Sequence, residues 1–128
     1  MKIMFSAGEV SGDFYGSFLA KEIRTLKNDA VLFGMGGGLM EKNGVKIIFN
    51  PIPHSVVGLV EAIKAYPFFR KVLHHLIEEI KIQKPDVLVL IDFPGFNMRL
   101  GKLANKLGVP VVYFISPSAW AWRQKRAK

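Results

Sequence analysis

The sequence predicts a doubly wound α/β domain: a mostly parallel sheet with helices on both faces. Three observations carry this. Val87 to Ile91 is an unbroken aliphatic run, Val-Leu-Val-Leu-Ile, without the polar alternation of a strand that faces water on one side, as a strand covered by helices on both faces requires. Short apolar runs alternate along the chain with longer segments of helical spacing, which calls for right-handed crossovers between parallel strands. Glycine or proline follows the first, second and central strand segments, at Gly8, Gly34 and Pro94, so loops gather at the carboxyl edge, where open α/β sheets bind ligands.

The first element is a strand over Lys2 to Ser6, followed by Ala7-Gly-Glu9-Val-Ser11-Gly-Asp13. Phe14, Phe18, Leu19, Ile23 and Leu26 recur at helical spacing and predict a helix over about 12–27. Ser11 is expected to be its N-cap, and Asp13 suits the positive end of its dipole. Strand, glycine loop and helix N-terminus form an anion-binding geometry in which backbone N–H groups point at a phosphate or carboxylate. The alternative is a turn that only caps a helix. The glycines at 8, 12 and 16 fit neither the dinucleotide fingerprint nor a Walker loop.

A second strand over Ala30 to Phe33 leads into Gly34-Met-Gly36-Gly37-Gly38-Leu-Met40. This is a further glycine loop, either close-approach backbone or a flexible turn. Leu39 to Asn43 forms a brief helix closed by Gly44. Val45 to Phe49 is the third strand, and Pro51 and Pro53 impose an extended connection. Residues from Val56 to Lys84 are helical in pattern, interrupted at Pro67, with a second helix over Phe68 to Gln83. Its apolar positions 69, 72, 73, 76, 77 and 80 make one stripe for the sheet. Val60, Ile63, Tyr66, Phe68 and Phe69, beside Lys64, Arg70 and Lys71, mix aromatics with cations at a broken helix. That is either core packing or a surface that meets a membrane interface or acyl chains. His54, His74 and His75 lack the spacing of a zinc site.

Past the central strand, Asp92-Phe-Pro-Gly95 leaves the sheet and a helix marked by Phe96, Leu100, Leu103, Ala104 and Leu107 follows, ended by Gly108 and Pro110. Pro110 to Ile115 is expected to be the next buried strand, and Ser116-Pro-Ser-Ala-Trp-Ala-Trp122-Arg123 sits at another carboxyl edge. Composition bounds the rest. The chain of 128 residues is 50% hydrophobic and 22% charged, enough for one domain with a core, and its lack of cysteine excludes disulfide and thiolate chemistry. Neither a signal peptide h-region nor about 18 consecutive apolar residues for a membrane span is present. A net charge of +8 implies anionic company: nucleic acid, an acidic bilayer or phosphorylated ligands. A nucleic-acid role is disfavoured because the basic tail is brief and no reader module is present.

Five motifs in order, Ala7-Gly-Glu-x-Ser-Gly-Asp13, Gly34-x-Gly-Gly-x-x-Met40, Val57-Gly-Leu-Val-Glu61, Ile91-Asp-x-Pro-x-Phe-Asn97 and Tyr113-x-x-Ser-Pro-Ser-x-Trp-Ala-Trp-Arg-Gln-Lys-Arg126, resemble lipid-A-disaccharide synthases over nearly the whole chain. The resemblance implies an inverting GT-B glycosyltransferase with two Rossmann-like domains, acting at the cytoplasmic face of the Gram-negative inner membrane as a peripheral protein. Its substrates would be UDP-2,3-diacylglucosamine and 2,3-diacylglucosamine 1-phosphate, its products the lipid A disaccharide 1-phosphate and UDP, and no metal or cofactor is expected. Family members continue into a second domain that supplies most of the UDP site. Residues 1–128 are therefore expected to be a single acceptor-side, Rossmann-like N-terminal domain, inactive by itself. Asp92 is the expected catalytic base and Glu9 the next candidate, since a carboxylate at a strand end can take the proton of the attacking hydroxyl. Asp92 could instead cap the helix that starts near Gly95. Ser11, Gly12, Asn97, Ser116 and Arg123 are expected to bind sugar hydroxyls or phosphate, and Val60, Ile63, Tyr66 and Phe69 to meet acyl chains or membrane. Two other readings stand beside this one: a non-catalytic module docking on anionic lipid, and a nucleotide-binding Rossmann domain of another enzyme.

Overall fold

The computed structural model describes residues 1–52 and 66–115. The order is β1 (Lys2–Ala7), α1 (Val10–Leu26), β2 (Val31–Met35), α2 (Gly38–Lys42), β3 (Val45–Phe49), α3 (Tyr66–Gln83), β4 (Val87–Ile91), α4 (Pro94–Lys106) and β5 (Val111–Phe114). The five strands form one sheet in the order β3-β2-β1-β4-β5. Every pairing is parallel, as the unalternating strand β4 predicts.

Chain direction decides which face each helix covers. From β1 to β3 the chain moves one way across the sheet, and from β3 to β5 it moves back, so right-handed crossovers put α1 and α2 on one face and α3 and α4 on the other. Two buried clusters record the two faces. Ile3, Phe5, Ala7, Leu32, Val89 and Ile91 pack with Ala20 and Met40 on the α1/α2 side. Met4, Phe33, Met35, Leu88 and Leu90 pack with Val72, Leu76, Ile80, Leu100 and Ala104 on the other. In β4, odd positions face one layer and even positions the other, which is the period of two with both sides apolar.

The predicted stripe of α3 is the observed one: Val72, Leu76 and Ile80 are buried and Leu73 and Ile77 half-buried. Helix α1 forms where its spacing predicts a helix, over Val10–Leu26, but of the five residues that mark it only Leu19 and Ile23 are half-buried against the core. Phe14, Phe18 and Leu26 are exposed, and the helix lays Gly12, Asp13, Gly16, Ser17 and Ala20 inward. Small residues let the helix axis approach closely; a Cβ added to Gly16 would stand 2.7 Å from the Met40 sulfur and 3.1 Å from Ile91 Cδ1. β5 also departs from the buried strand predicted: it is the sheet edge among the described residues, and Val112 and Phe114 are exposed. From α1, Tyr15 reaches Phe114 of β5, with ring centroids 5.8 Å apart. The helix predicted near 57–63, His54, Val60, Ile63, Ser116, Arg123 and the side chain of Tyr66 lie outside the described residues.

Candidate active site

The strands that lead in opposite directions, β1 and β4, are neighbours, with Ala7 opposite Ile91 in the pairing register. The loop after β1 rises to the α1 face and the loop after β4 to the α4 face, so the two part above the sheet. This is the topological switch point, the crevice where doubly wound folds bind ligands. Gly8 is buried and lies against the Phe93 ring, and any Cβ there would run into it. Glycine is thus required on the β1 side for the two loops to approach.

Asp92 and Phe93 have φ values of 46° and 50°. Two consecutive non-glycine residues in the left-handed region cost about 1–3 kcal/mol each, and persist only where the surroundings hold them. Here the surroundings are on both sides. The Asp92 N–H donates to the Phe114 carbonyl at 3.0 Å. The Asp92 carbonyl accepts from Asn97 Nδ2 at 2.9 Å and from the Tyr113 hydroxyl at 2.8 Å. The Asn97 N–H donates to the Phe93 carbonyl at 3.0 Å, which starts α4. Asp92 is part-exposed at this elbow. It is not the cap of α4: the N-cap is Phe93, with Pro94 following at the first turn.

Asn97 was expected on the substrate, and the structure gives it other work. It is fully buried, its Oδ1 accepts from Ser6 Oγ at 2.6 Å, and its Nδ2 faces the carbonyls of Ser6 (3.0 Å) and Asp92 (2.9 Å), with that of Ile91 at 3.3 Å. The amide ties the end of β1 to the elbow after β4, leaving no polar group for a ligand.

Of the helices that start at this edge, α1, α2 and α4 differ in what their first turns offer. The N-cap of α1 is Glu9, two residues past β1, not Ser11; Glu9 is exposed and makes no side-chain cap hydrogen bond. Ser11 is exposed in the first turn and Gly12 is buried against Ala7. The start of α2 is already occupied. The Asp13 carboxylate, 5% exposed, accepts from the N–H groups of Gly37 (2.8 Å), Leu39 (3.0 Å) and Met40 (3.0 Å). A side chain in the first turn of α1 therefore caps α2, and the amides of Gly37, Leu39 and Met40 are already taken. The start of α4 carries a proline, which has no N–H. The α2 terminus is thus filled by the protein's own carboxylate, while the first turn of α1 has no side-chain cap.

Beside the elbow stands a row of half-buried phenylalanines. Ring centroids run Phe49 to Phe68 at 5.6 Å, Phe68 to Phe69 at 5.7 Å, Phe69 to Phe93 at 6.0 Å, Phe69 to Phe96 at 6.1 Å and Phe93 to Phe96 at 5.8 Å. Phe69 was singled out in the sequence; Phe49, Phe93 and Phe96 were not, because they belong to three different elements. Arg70 and Lys71 on α3 and Met98, Arg99 and Lys102 on α4 are exposed around them. Among the described residues no group of three or more His, Asp or Glu side chains could hold a metal ion, and no helix is long and apolar enough to cross a membrane.

A family model described as lipid-A-disaccharide synthetase matches residues 3–128. The chain is 44% identical to the lipid-A-disaccharide synthase of Koribacter versatilis over its whole length, and 42% and 40% identical to those of Trichlorobacter lovleyi and Myxococcus xanthus over 99% of it. It covers 34%, 33% and 33% of those proteins, so the chain spans about a third of the length of the curated relatives it matches. A match along nearly every residue, on a parallel sheet whose loops meet at a switch point, places the chain in the lipid-A-disaccharide synthetase family.

Proposed function

We propose that this chain is the Rossmann-like, acceptor-side N-terminal domain of a GT-B glycosyltransferase of lipid A biosynthesis. The complete protein transfers 2,3-diacylglucosamine from its UDP carrier to 2,3-diacylglucosamine 1-phosphate, giving the lipid A disaccharide 1-phosphate and UDP. The observation that carries the site is the left-handed elbow at Asp92, a part-exposed residue whose backbone carbonyl is held by Asn97 and Tyr113 at the crevice between β1 and β4.

Asp92 takes the proton of the attacking acceptor hydroxyl. The freed oxygen bonds to the anomeric carbon from the face opposite the leaving group, the bond to UDP breaks, and UDP departs with the electron pair, which inverts the centre. Glu9, exposed at the end of the facing loop, is the second candidate for base. The uncapped first turn of α1, with Ser11 and Gly12, receives the acceptor phosphate through backbone N–H groups and the helix dipole. Asn97 acts as a positioning residue that holds the elbow, and Ser116 and Arg123 complete the sugar and phosphate contacts. The phenylalanine row takes acyl chain, with Val60, Ile63, Tyr66 and Phe69 continuing the apolar surface and Arg70, Lys71, Arg99 and Lys102 meeting anionic headgroups at the cytoplasmic face of the inner membrane. The second domain supplies the UDP site, and the isolated chain is inactive.

Asp92→Asn in the complete protein tests the role. Loss of a general base lowers turnover on the order of 100-fold or more, with the melting temperature unchanged because the elbow is held through its backbone. Near-normal turnover removes Asp92 from the mechanism.

A further inference from the structure

Strand β5 reads Val-Val-Tyr-Phe, and Tyr113 is its one polar side chain. The ring packs against the core of the α3/α4 side, the cluster that holds Leu88, Leu90 and Leu100. Phenylalanine would fill that place as well, so packing leaves the hydroxyl to be explained. It donates to the Asp92 carbonyl at 2.8 Å. β5 thus grips Asp92 at both of its backbone polar groups, because the Asp92 N–H donates to the Phe114 carbonyl at 3.0 Å. The two bonds differ in kind. The N–H bond carries the β4/β5 pairing one step past Ile91 and Phe114, the last residues in register. The carbonyl bond is made by a side chain, where φ values of 46° and 50° take the chain out of the sheet.

We propose that Tyr113 is a positioning residue for the Asp92 carboxylate, an inference that rests on the reading of Asp92 as the base. The side chain of Asp92 can aim only where its Cα–Cβ bond points, and the backbone torsions on either side set that bond. Left-handed backbone at two successive non-glycine residues is costly and relaxes unless it is held. A hydrogen bond to the Asp92 carbonyl holds the rigid peptide plane between Asp92 and Phe93, and with it one torsion of each. Asn97 Nδ2 holds the same oxygen at 2.9 Å, but from nearby in the chain: it stands five residues on, in the helix that the elbow starts, and leans on Ser6 of β1. Tyr113 comes from twenty-one residues away, on the strand that leads on to Ser116. The carbonyl is therefore held from two sides, by β1 and α4 through Asn97 and by β5 through Tyr113. Without the hydroxyl the ring still packs and Asn97 still bonds, so the elbow stays folded. Its peptide plane then rocks about a single anchor, which swings the carboxylate off the attacking hydroxyl. A misplacement of about 1 Å at a catalytic group costs up to about 100-fold in rate, and loss of one of two anchors is expected to cost about 10-fold.

Four forms of the complete protein separate this role from a structural one: the parent, Tyr113→Phe, Asp92→Asn and the double variant. Tyr113→Phe lowers kcat about 10-fold and leaves KM for both sugar substrates within about twofold. In the Asp92→Asn background the same change lowers kcat by less than about twofold, since a residue that acts through the carboxylate has nothing left to position. Unchanged kcat in Tyr113→Phe overturns the proposal. So does an equal fall in both backgrounds, which makes Tyr113 part of the frame alone. Failure of the base reading looks different. Near-normal turnover of Asp92→Asn removes the base and this proposal with it, whereas collapse of Asp92→Asn beside a silent Tyr113→Phe removes only Tyr113. A second readout does not involve turnover. Tyr113→Phe speeds hydrogen exchange of the Asn97 amide, which bonds the Phe93 carbonyl at the elbow, by about fivefold or more, and leaves that of Val89 in mid-β4 unchanged. Equal exchange at Asn97 in the two proteins overturns the proposal, and so does faster exchange at both positions, which reports a loss of global stability instead of a loosened elbow.

Discussion

The two glycine loops at the carboxyl edge look alike in sequence and do opposite things. The loop after β2 packs Gly36 and Gly37 into the protein and gives the amides of Gly37, Leu39 and Met40 to Asp13. The loop after β1 leads into a helix whose first turn has no side-chain cap. One anion site is filled by the protein's own carboxylate, and the other is left open. Because Asp13 lies in the first turn of α1, the carboxylate that closes one loop also braces the open one. The difference teaches that glycine at a helix start marks close approach, and that only the hydrogen-bond inventory tells whether a ligand or the protein itself is approaching.

The largest way to break that comparison is to empty the closed loop. Asp13→Ala leaves two buried amides and one part-buried amide without acceptors, at about 1–3 kcal/mol for each buried group, so unfolding free energy from urea titration falls by about 4 kcal/mol. Asp13→Asn keeps one oxygen but turns an NH2 toward an N–H donor, and loses about half as much. Equal stability of all three proteins means that the amides find water and that the cap carries no energy.

The neighbouring glycines sharpen the same point. A Cβ on Gly37 would stand 2.7 Å from Asp13 Oδ2 and 3.1 Å from Ile52 Cγ1, whereas nothing lies within 4 Å of one on Gly38. Gly37→Ala pushes a buried carboxylate off its three donors and costs about 2 kcal/mol. Gly38→Ala, in the first turn of a helix, is neutral or gains up to about 1 kcal/mol from the smaller entropy of its unfolded chain. Thermal melts of the two variants differing by less than about 0.5 kcal/mol would show that the loop adapts to the extra methyl group.

Much of this was legible beforehand. Strands β3 and β4 fall on the predicted residues, the α3 stripe packs as its period requires, and the all-parallel sheet follows from the unalternating run at Val87 to Ile91. Helix α1 forms where its spacing predicts, but the face it lays on the sheet was not legible, for a physical reason. Leu19 and Ile23 pack inward while 14, 18 and 26 are exposed, and the most buried positions include the row Gly12, Gly16 and Ala20 at spacing four, so a ranking by hydrophobicity overlooks residues whose virtue is being small. The site was legible in outline only. The position of Asp92 at a strand end predicts exposure at the crevice, yet its left-handed backbone depends on Tyr113, Phe114 and Asn97, which local sequence does not connect to it. Asn97, a polar residue three positions past Pro94, reads as a surface group until Ser6 is found 2.6 Å away.

The smallest expected effect falls on the open loop. Ser11 was expected to cap α1, but the cap position is Glu9, which makes no side-chain cap bond, and Ser11 is an exposed residue of the first turn. Replacing a true serine cap by alanine costs about 1 kcal/mol, while an exposed serine inside the first turn sits within about 0.5 kcal/mol of neutral. Ser11→Ala therefore leaves the urea midpoint of the chain unchanged. A loss near 1 kcal/mol would mean that Ser11 caps the helix in solution, and the α1 terminus would then be filled like that of α2. An unchanged midpoint keeps those amides available, so that added phosphate shifts the backbone amide resonances of residues 10–12 and leaves those of Gly37, Leu39 and Met40 in place, because the second set already holds its anion in Asp13.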